Sequence, residues 1–230
     1  MTAPQTETQQ TGRGAVLFDI DGTLIDSTYH HALAWQRAFD RHQVSVPLWR
    51  IHRTVGMGGD KLVTEVAGED VEERIGDDLR DAWGEEYAEL EAEVRPLPGA
   101  AELVRKAAGD GYLVALASSG EKKFAEHVVE LLDLGDTIAT LTTADDAEDS
   151  KPDPDLLHIT AERIGATRAV LVGDTPYDVE SAARAGLRCI GLRSGGYSQA
   201  ELEEAGAALV VDAPEDLMDV DWEDYLSTVE

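Results

Sequence analysis

From about residue 100 onward, short apolar runs alternate with stretches whose apolar residues recur at helical spacing. The apolar runs, which are typical of buried strands, include YLVALASS, RAVLVGD and RCIGLR. Between them lie helical patterns such as EKKFAEHVVELLDL and PYDVESAARAG. Strands that alternate with helices predict a parallel sheet with helices on both faces. We therefore expect an α/β fold with a Rossmann-like parallel sheet core.

An earlier apolar run, AVLF at residues 15–18, is followed by a long stretch that has only helical patterns. This stretch ends at RPLPG, because two prolines and a glycine stop a helix and favour a turn. We predict that residues 14–26 and 95–230 form the sheet core and that residues 27–94 form an inserted α-helical domain. Residues 1–13 are polar and are predicted to be a disordered tail.

The composition limits the partners and the compartment. The formal net charge of −28 repels nucleic acid and anionic membranes, so we expect neither as a partner. No run reaches the roughly 20 apolar residues of a membrane span, and the N-terminus lacks the apolar segment of a secretory signal. We expect a cytoplasmic protein, either a monomer or a homodimer. The single cysteine, Cys189, lies in an apolar run and is expected to pack in the core.

Side chains that can carry chemistry follow the predicted strands. They are Asp19 and Asp21 in DIDGTLIDS, Ser118 and Ser119 in LASSG, Lys151 in DSKPDP, and Asp174 and Asp178 in GDTPYD. Any one of them has a simpler explanation, such as a turn or a helix cap. Because the carboxyl ends of parallel strands meet at one edge of a sheet, we expect all of them to lie close together.

The residue types in this set indicate phosphoryl transfer. Carboxylates without histidine or cysteine companions suit a hard cation, and Mg²⁺ is the usual one. A lysine and a serine hydroxyl suit phosphate oxygens. An aspartate can attack phosphorus to form an aspartyl-phosphate, and a second aspartate two residues later can transfer protons. Asp19 and Asp21 are therefore predicted to act on the same face of one phosphoryl group.

The chain resembles the haloacid dehalogenase superfamily of phosphotransferases. The resemblance lies in DIDGTLIDS, in the serine of LASSG, in the lysine of SKPDPDLL and in GDTPYDVESAARAG. The later segment GGYSQAELEEAGAALVVDAPEDL is similar to the branch that contains phosphoglycolate phosphatases and β-phosphoglucomutase-like proteins. The resemblance covers nearly the whole chain after about residue 14. It implies that the insert is a cap that closes over the site and reads the leaving group.

The resemblance also implies a role for each matching residue. Asp19 would be the nucleophile, and Asp21 would be the general acid and then the general base. Ser118 and Lys151 would hold the phosphoryl oxygens, and Lys151 would offset the charge repulsion around Asp19.

The same resemblance implies a Mg²⁺ site. Asp19, the backbone carbonyl of Asp21, and Asp174 would be ligands. Asp178 is included with the metal site as the second acidic residue, which orients the lysine or a metal-bound water.

Four further residues are predicted to contact substrate, namely Thr23, His31, Lys61 and Ser119. Lys61 follows GMGG in a region that faces the active site in the resembled family, and His31 lies on the first predicted cap helix. The four tryptophans are interpreted as packing residues. The cap is predicted to close by bending at two hinges, residues 26–28 and 95–99. Its closure is expected to exclude water and so to raise the proton affinity of Asp21.

The leading function is a Mg²⁺-dependent phosphatase that hydrolyses a small phosphorylated metabolite through an aspartyl-phosphate. A sugar phosphomutase of the β-phosphoglucomutase type is the alternative, because such mutases carry a histidine at the place of His31. Gly173 and Thr23 differ from the residues that many of those mutases carry. A catalytically silent binding or regulatory member of the family is a third reading, and a dehalogenase is disfavoured because Asp21 is present.

Overall fold

The computed structural model describes residues 13–147 and 149–229. Within these ranges the strands are β1 (Gly14–Phe18), β2 (Leu113–Ala117), β3 (Thr140–Thr142), β4 (Arg168–Gly173), β5 (Arg188–Leu192), β6 (Leu209–Val211) and β7 (Ser227–Thr228). They form one sheet in the order β3-β2-β1-β4-β5-β6, and all six are parallel. Ala15 of β1 lies opposite Leu113 on one side and Ala169 on the other. The predicted α/β fold with a parallel sheet is confirmed, and the short strand β7, which pairs antiparallel with β4, was not foreseen.

The helices cover both faces of the sheet and fill the insert. Between β1 and β2 lie α1 (Thr28–Arg41), α2 (Leu48–His52), α3 (Gly59–Ala67), α4 (Glu69–Leu90) and α5 (Ala100–Gly109). The later helices are α6 (Lys122–Leu131), α7 (Asp155–Ile164), α8 (Pro176–Arg184) and α9 (Gln199–Ala205). Except for Arg13, the predicted disordered tail lies outside the described residues. No helix in the described ranges has both the length and the apolar composition that a membrane span requires.

Two apolar clusters lie on opposite faces of the sheet. Val16 and Phe18 belong to one cluster, and Ala15 and Leu17 belong to the other, because successive strand side chains point to opposite faces. Both faces are covered, which explains why this strand reads as a continuous apolar run rather than an alternating one. Cys189 is buried in the second cluster, as expected.

A third apolar cluster belongs to the insert. Its buried members lie on α1 to α4 and the segments that join them, and Phe124 of α6 is the one member from the core. We call α1 to α4 the helical unit. Helix α4 changes direction at Ile75, whose φ of −145° and ψ of 16° are not helical. The helical unit therefore has a hydrophobic core that is almost separate from the core of the sheet.

Two neighbouring chain segments connect the helical unit to the sheet. The amide of Asp26 donates to the carbonyl of Arg95 at 2.8 Å, and the amide of Leu97 donates to the carbonyl of Leu24 at 2.9 Å. Ile25 and Pro96 form an antiparallel bridge between these two contacts. The chain therefore leaves the sheet and returns to it at nearly the same point.

Candidate active site

Three carboxylates meet where β1 and β4 end. Asp19 follows β1, and its amide donates to the carbonyl of Val172 in β4 at 2.9 Å. Asp174 follows β4 directly, and Asp178 lies one turn later on α8. One carboxylate oxygen from each of the three aspartates lies within 4.8 Å of the other two. The predicted convergence of strand ends brings these three residues together.

Lys151 lies inside this acidic cluster. Its Nζ is 2.5 Å from Asp19 Oδ1 and 2.7 Å from Asp178 Oδ1, and its side chain is 2% exposed. The other oxygen of Asp178 accepts hydrogen bonds from the amide and the hydroxyl of Thr175, which caps the N-terminus of α8. Burial alone would lower the pKa of Lys151, but the Asp178 and Asp19 carboxylates raise it. The lysine is therefore a fixed positive charge beside Asp19.

The cluster still carries an excess of negative charge. Burial raises the pKa of Asp19 to about 7, and the attraction of Lys151 only partly opposes that rise. Burial also raises the pKa of Asp174 well above its usual range, and the Asp178 and Asp19 carboxylates raise it further. Asp174 Oδ2 is buried and has no hydrogen-bond partner among the described residues. Unneutralised, hard oxygen donors of this kind fit a divalent cation such as Mg²⁺.

The side chain of Thr23 is packed against Asp174. Its side chain is fully buried, and its hydroxyl donates to Asp174 Oδ1 at 3.2 Å. This hydroxyl orients Asp174, and the contact of Thr23 with substrate stays a prediction. The preceding Gly22 has a φ of +73°, and a Cβ there would lie 2.2 Å from Asp174 Oδ2. The turn after β1 therefore packs directly against this carboxylate.

Asp21 faces the helical unit rather than the acidic cluster. Its Oδ1 accepts from Ser27 Oγ at 2.6 Å and contacts His31 Nε2 at 2.7 Å. Burial would raise the pKa of Asp21, but the charge of His31 and the hydrogen bonds from His31 and Ser27 lower it. Burial thus acts in the direction that we expected for cap closure, while the contacts with His31 and Ser27 act against it and leave the pKa of Asp21 below its usual value.

His31 is held in place by aromatic stacking. Its ring lies 4.0 Å from the ring of Tyr87, with an interplanar angle of 9°, and 5.6 Å from the ring of Trp83. Helices α1 and α4 thus fix the imidazole that reaches Asp21. His31 lines the cavity described below, and its predicted contact with substrate stays a prediction.

Two serines follow β2. Ser118 Oγ accepts a hydrogen bond from the amide of Gly120 at 3.0 Å, and its own amide donates to Thr142 of β3. Ser119 Oγ is buried and has no partner among the described residues, and Ser119 lines the cavity described below. Both predicted serines are therefore at the carboxyl edge, with the free hydroxyl on Ser119.

Lys61 binds the loop that carries Lys151. Its Nζ donates to the carbonyl of Ser150 and lies 2.5 Å from Asp153 Oδ2. Ser150 in turn donates through Oγ to Asp60 at 3.1 Å. Lys61 is absent from the described lining of the cavity. Lys61 thus joins α3 to the loop that carries Lys151, and its contact with substrate stays a prediction.

A cavity of about 180 Å³ lies between the helical unit and the sheet edge. Core residues at its surface include Asp19, Asp21, Ser119, Gly120, Glu121, Lys151 and Asp174. Residues of the insert at its surface include His31, Trp35, Val55, Gly56, Met57, Gly59, Leu62, Arg80 and Trp83.

Some of these cavity residues were not singled out from the sequence. Trp35 and Trp83 were interpreted as packing residues, and they belong to the core of the helical unit while also bordering the cavity. The segment GMGG, noted as facing the site in relatives, contributes Met57. No sequence signal identified Arg80, which is one of two arginines in the acidic helix α4.

Comparison with known proteins agrees with this geometry. The model of the haloacid dehalogenase-like hydrolase family matches residues 16–192. A validoxylamine A 7'-phosphate phosphatase from Streptomyces hygroscopicus subsp. limoneus is 30% identical over 220 residues, covering 90% of this chain and 95% of the relative. A phosphoglycolate phosphatase from Pseudomonas putida is 28% identical, covering 86% of this chain and 75% of the relative.

A solved structure extends the likeness to three dimensions. A hydrolase from Pseudomonas syringae superimposes with a TM-score of 0.85 at 34% sequence identity, covering 90% of this chain and 97% of the other. The matched family region includes the strand-end aspartates and Lys151. The chain therefore belongs to the haloacid dehalogenase-like hydrolases and is a phosphoric monoester hydrolase of that family.

Proposed function

We propose that this phosphatase is Mg²⁺-dependent and hydrolyses a small phosphorylated metabolite through an aspartyl-phosphate on Asp19. The observation that carries the proposal is the pair formed by Asp19 and Lys151, 2.5 Å apart and buried at the surface of the cavity. A nucleophilic carboxylate needs a nearby positive charge, because it must approach a phosphoryl group that is itself negative.

The metal would be held by Asp19, Asp174 and the backbone carbonyl of Asp21, with Asp178 completing the acidic group. The buried, unpartnered Asp174 Oδ2 and the raised pKa of Asp19 support this assignment. When bound, Mg²⁺ supplies the positive charge that offsets the acidic cluster and the phosphoryl oxygens.

The reaction would proceed in two steps. In the first, an oxygen of Asp19 attacks phosphorus, the bond from phosphorus to the alcohol oxygen breaks, and Asp21 gives its proton to that oxygen. In the second, Asp21 takes a proton from water, the water oxygen attacks phosphorus, and phosphate leaves Asp19. The contacts of Asp21 with His31 and Ser27 support the second step, since they favour its ionised form.

Ser118, Ser119 and Lys151 would hold the phosphoryl oxygens during both steps. In this proposal residues 14–26 and 95–230 form the catalytic core, and residues 27–94 form the cap that contacts the leaving group. The names of the two relatives point to small phosphoesters, and this supports the same broad class of substrate here.

The test measures phosphate release from a broad panel of phosphomonoesters, with ³¹P NMR to identify the products. We expect inorganic phosphate with Mg²⁺, little turnover in EDTA, and suppression by Ca²⁺, whose looser coordination would misplace the Asp19 oxygen. Asp19→Asn should lose turnover, whereas Asp26→Asn, which changes an exposed aspartate of the same motif, should retain it. Full activity in EDTA would contradict the metal assignment, and an isomerised ester as the product would favour the phosphomutase alternative.

A further inference from the structure

We propose that the alcohol released by this enzyme is an uncharged, hydroxylated ring of the sugar or cyclitol type. The inference rests on the proposed phosphatase function and narrows its substrate class. It follows from the wall of the cavity that faces away from the acidic cluster, and from the charges along it.

The wall contributed by the insert is largely apolar. Trp35 and Trp83 lie with their ring centroids 5.5 Å apart at an interplanar angle of 18°, and both border the cavity. Val55, Met57 and Leu62 extend the same surface. A charged group placed against this wall would lose its hydration without gaining a partner, whereas the C–H surface of a ring would be favourably buried.

The basic side chains at the cavity surface already have partners. Lys151 is bound between Asp19 and Asp178. Arg80 donates through Nη1 to Glu72 at 2.7 and 3.0 Å.

Arg80 also donates through Nη2 to Asp77 at 2.7 Å. Glu121 adds a further carboxylate to the lining. Among the described lining residues, Lys151, Arg80 and His31 each already have a carboxylate partner. A substrate with a carboxylate beside its phosphate is therefore disfavoured.

Polar groups at the cavity surface suit hydroxyls. Trp83 borders the cavity, and its indole N–H is buried without a partner among the described residues. The carboxylate of Glu121 can accept from a hydroxyl. A few polar groups within a mostly apolar pocket are typical of sites that orient a small-molecule ligand. The apolar wall favours burial of a ring, and the ion pairs of Arg80 leave its charge already paired. The polar groups of Trp83 and Glu121 can bind hydroxyls, so a ring that carries hydroxyls is favoured.

The experiment compares kcat/KM for two ring esters, glucose 6-phosphate and myo-inositol 1-phosphate, with kcat/KM for the small anionic ester 2-phosphoglycolate. We expect the better ring ester to exceed 2-phosphoglycolate by about tenfold or more, the size of discrimination that pocket contacts can provide. Equal or greater kcat/KM for 2-phosphoglycolate overturns the inference. Turnover of p-nitrophenyl phosphate without turnover of either ring ester also overturns it.

A binding measurement separates this inference from the proposed function. Calorimetric titration of Asp19→Asn protein with the same esters in Mg²⁺ does not depend on turnover. If no ester and no p-nitrophenyl phosphate is hydrolysed by the unmodified protein, the proposed function fails. Tighter binding of a ring ester by this variant supports the argument that the cavity prefers an uncharged ring, and tighter or equal binding of 2-phosphoglycolate overturns it.

Variants test the two physical arguments. Met57→Lys places a cation on the half-buried part of the apolar wall, and Glu72→Gln with Asp77→Asn releases Arg80 from its counterions. Each should shift the ratio of kcat/KM values toward 2-phosphoglycolate by about tenfold. Trp49→Ala is the matched control, because Trp49 lies on α2 of the same unit and is 68% exposed. An unchanged ratio in both charge variants would contradict the electrostatic argument.

Discussion

His31 Nε2 lies 2.7 Å from Asp21 Oδ1, so a residue of the insert directly contacts a carboxylate of the sheet edge. His31 lies on α1 of the helical unit, Asp21 follows β1, and both residues line the cavity. The protonation of Asp21 therefore depends on whether the helical unit is in place over the edge. The predictions below follow from this contact and from the charges around it.

His31→Phe should raise the pKa of Asp21, because it removes the attraction and the hydrogen bond that lower it while an aromatic ring still faces Tyr87. We expect kcat to fall by about tenfold to a hundredfold, within the usual range for general acid–base catalysis. The limb of the pH–rate profile that reports ionisation of Asp21 should move to higher pH. His127→Phe is the control, since His127 is exposed on α6. A lower kcat with an unmoved profile would contradict this role.

The metal-free protein should become less stable as the pH rises from about 4 to about 7. Asp19 has its pKa raised to about 7 from a usual value of 3.8, so the folded state binds more protons than the unfolded state in this window. Asp174 acts in the same direction. The free energy of unfolding should therefore fall with pH in EDTA, and Mg²⁺ should restore it at pH 8.

Asp19→Asn is the variant that checks this pH dependence. It should flatten the decline, and at pH 8 in EDTA it should raise the free energy of unfolding by an amount on the order of 2 kcal/mol. Urea unfolding at several pH values, with and without Mg²⁺, gives the measurement. A variant less stable than the unmodified protein at pH 8 in EDTA would show that the pairing with Lys151 outweighs the burial of Asp19.

Lys151→Met should abolish turnover and destabilise the protein, because it leaves the buried Asp19 and Asp178 carboxylates without their cation. Removing one partner of a buried ion pair costs roughly 3–5 kcal/mol. Adding Asp178→Asn to this variant should recover part of the loss, since one unpaired charge disappears. A double-mutant cycle by urea unfolding gives the coupling. Strict additivity of the two substitutions would mean that the contact between Lys151 and Asp178 has no energetic importance.

Lys61→Met should raise KM by a similar, small factor for every phosphoester. The ion pair between Lys61 and Asp153 is partly exposed, and such pairs contribute little. Asp153→Asn removes the same contact and should give a similar change, of about two- to fivefold. Steady-state kinetics on three unrelated esters gives the comparison. A large loss of kcat for one ester alone would return Lys61 to the substrate contacts.

Replacing residues 29–93 with a short Gly/Ser linker should leave a folded core. The buried side chains of the helical unit pack on each other, with Phe124 as the contribution from the core, and the two connecting segments are hydrogen-bonded. The variant should retain Mg²⁺ binding and lose most of its selectivity and much of its rate. The ratios of rates across the phosphoester panel test this. Unchanged ratios in a folded variant would mean that the insert reads no substrate.

The acidic cluster could be located from sequence because its geometry depends on topology. Asp19 and Asp174 each follow an apolar run, and parallel strands must end at the same edge whatever their order. The order itself, with β1 between β2 and β4, is not encoded in any local pattern. Short strands such as β7 were also missed, because two residues carry no periodicity.

The sequence did not predict the hydrogen-bond partners of side chains whose partners are distant in the chain. Thr23 and Lys61 were given substrate roles from their positions near motifs, but their hydrogen bonds go to Asp174 and to Asp153. A hydroxyl or an ammonium group has many acceptors within reach, and only tertiary packing selects one. Arg80 was missed for a different reason, because its partners Glu72 and Asp77 lie on its own helix and look like ordinary helix-surface ion pairs.

The insertion of the helical unit between β1 and β2 has a consequence for folding during synthesis on the ribosome. Strand β1 emerges first, yet its neighbours in the sheet begin only at Leu113 and Arg168. The helical unit is complete at Leu90 and has its own buried side chains, so it can condense while β1 still waits for both neighbours. During synthesis the helical unit can thus fold before the sheet into which it is inserted. Asp178, the last residue of the acidic cluster, is synthesised after the whole helical unit and after β1 to β4.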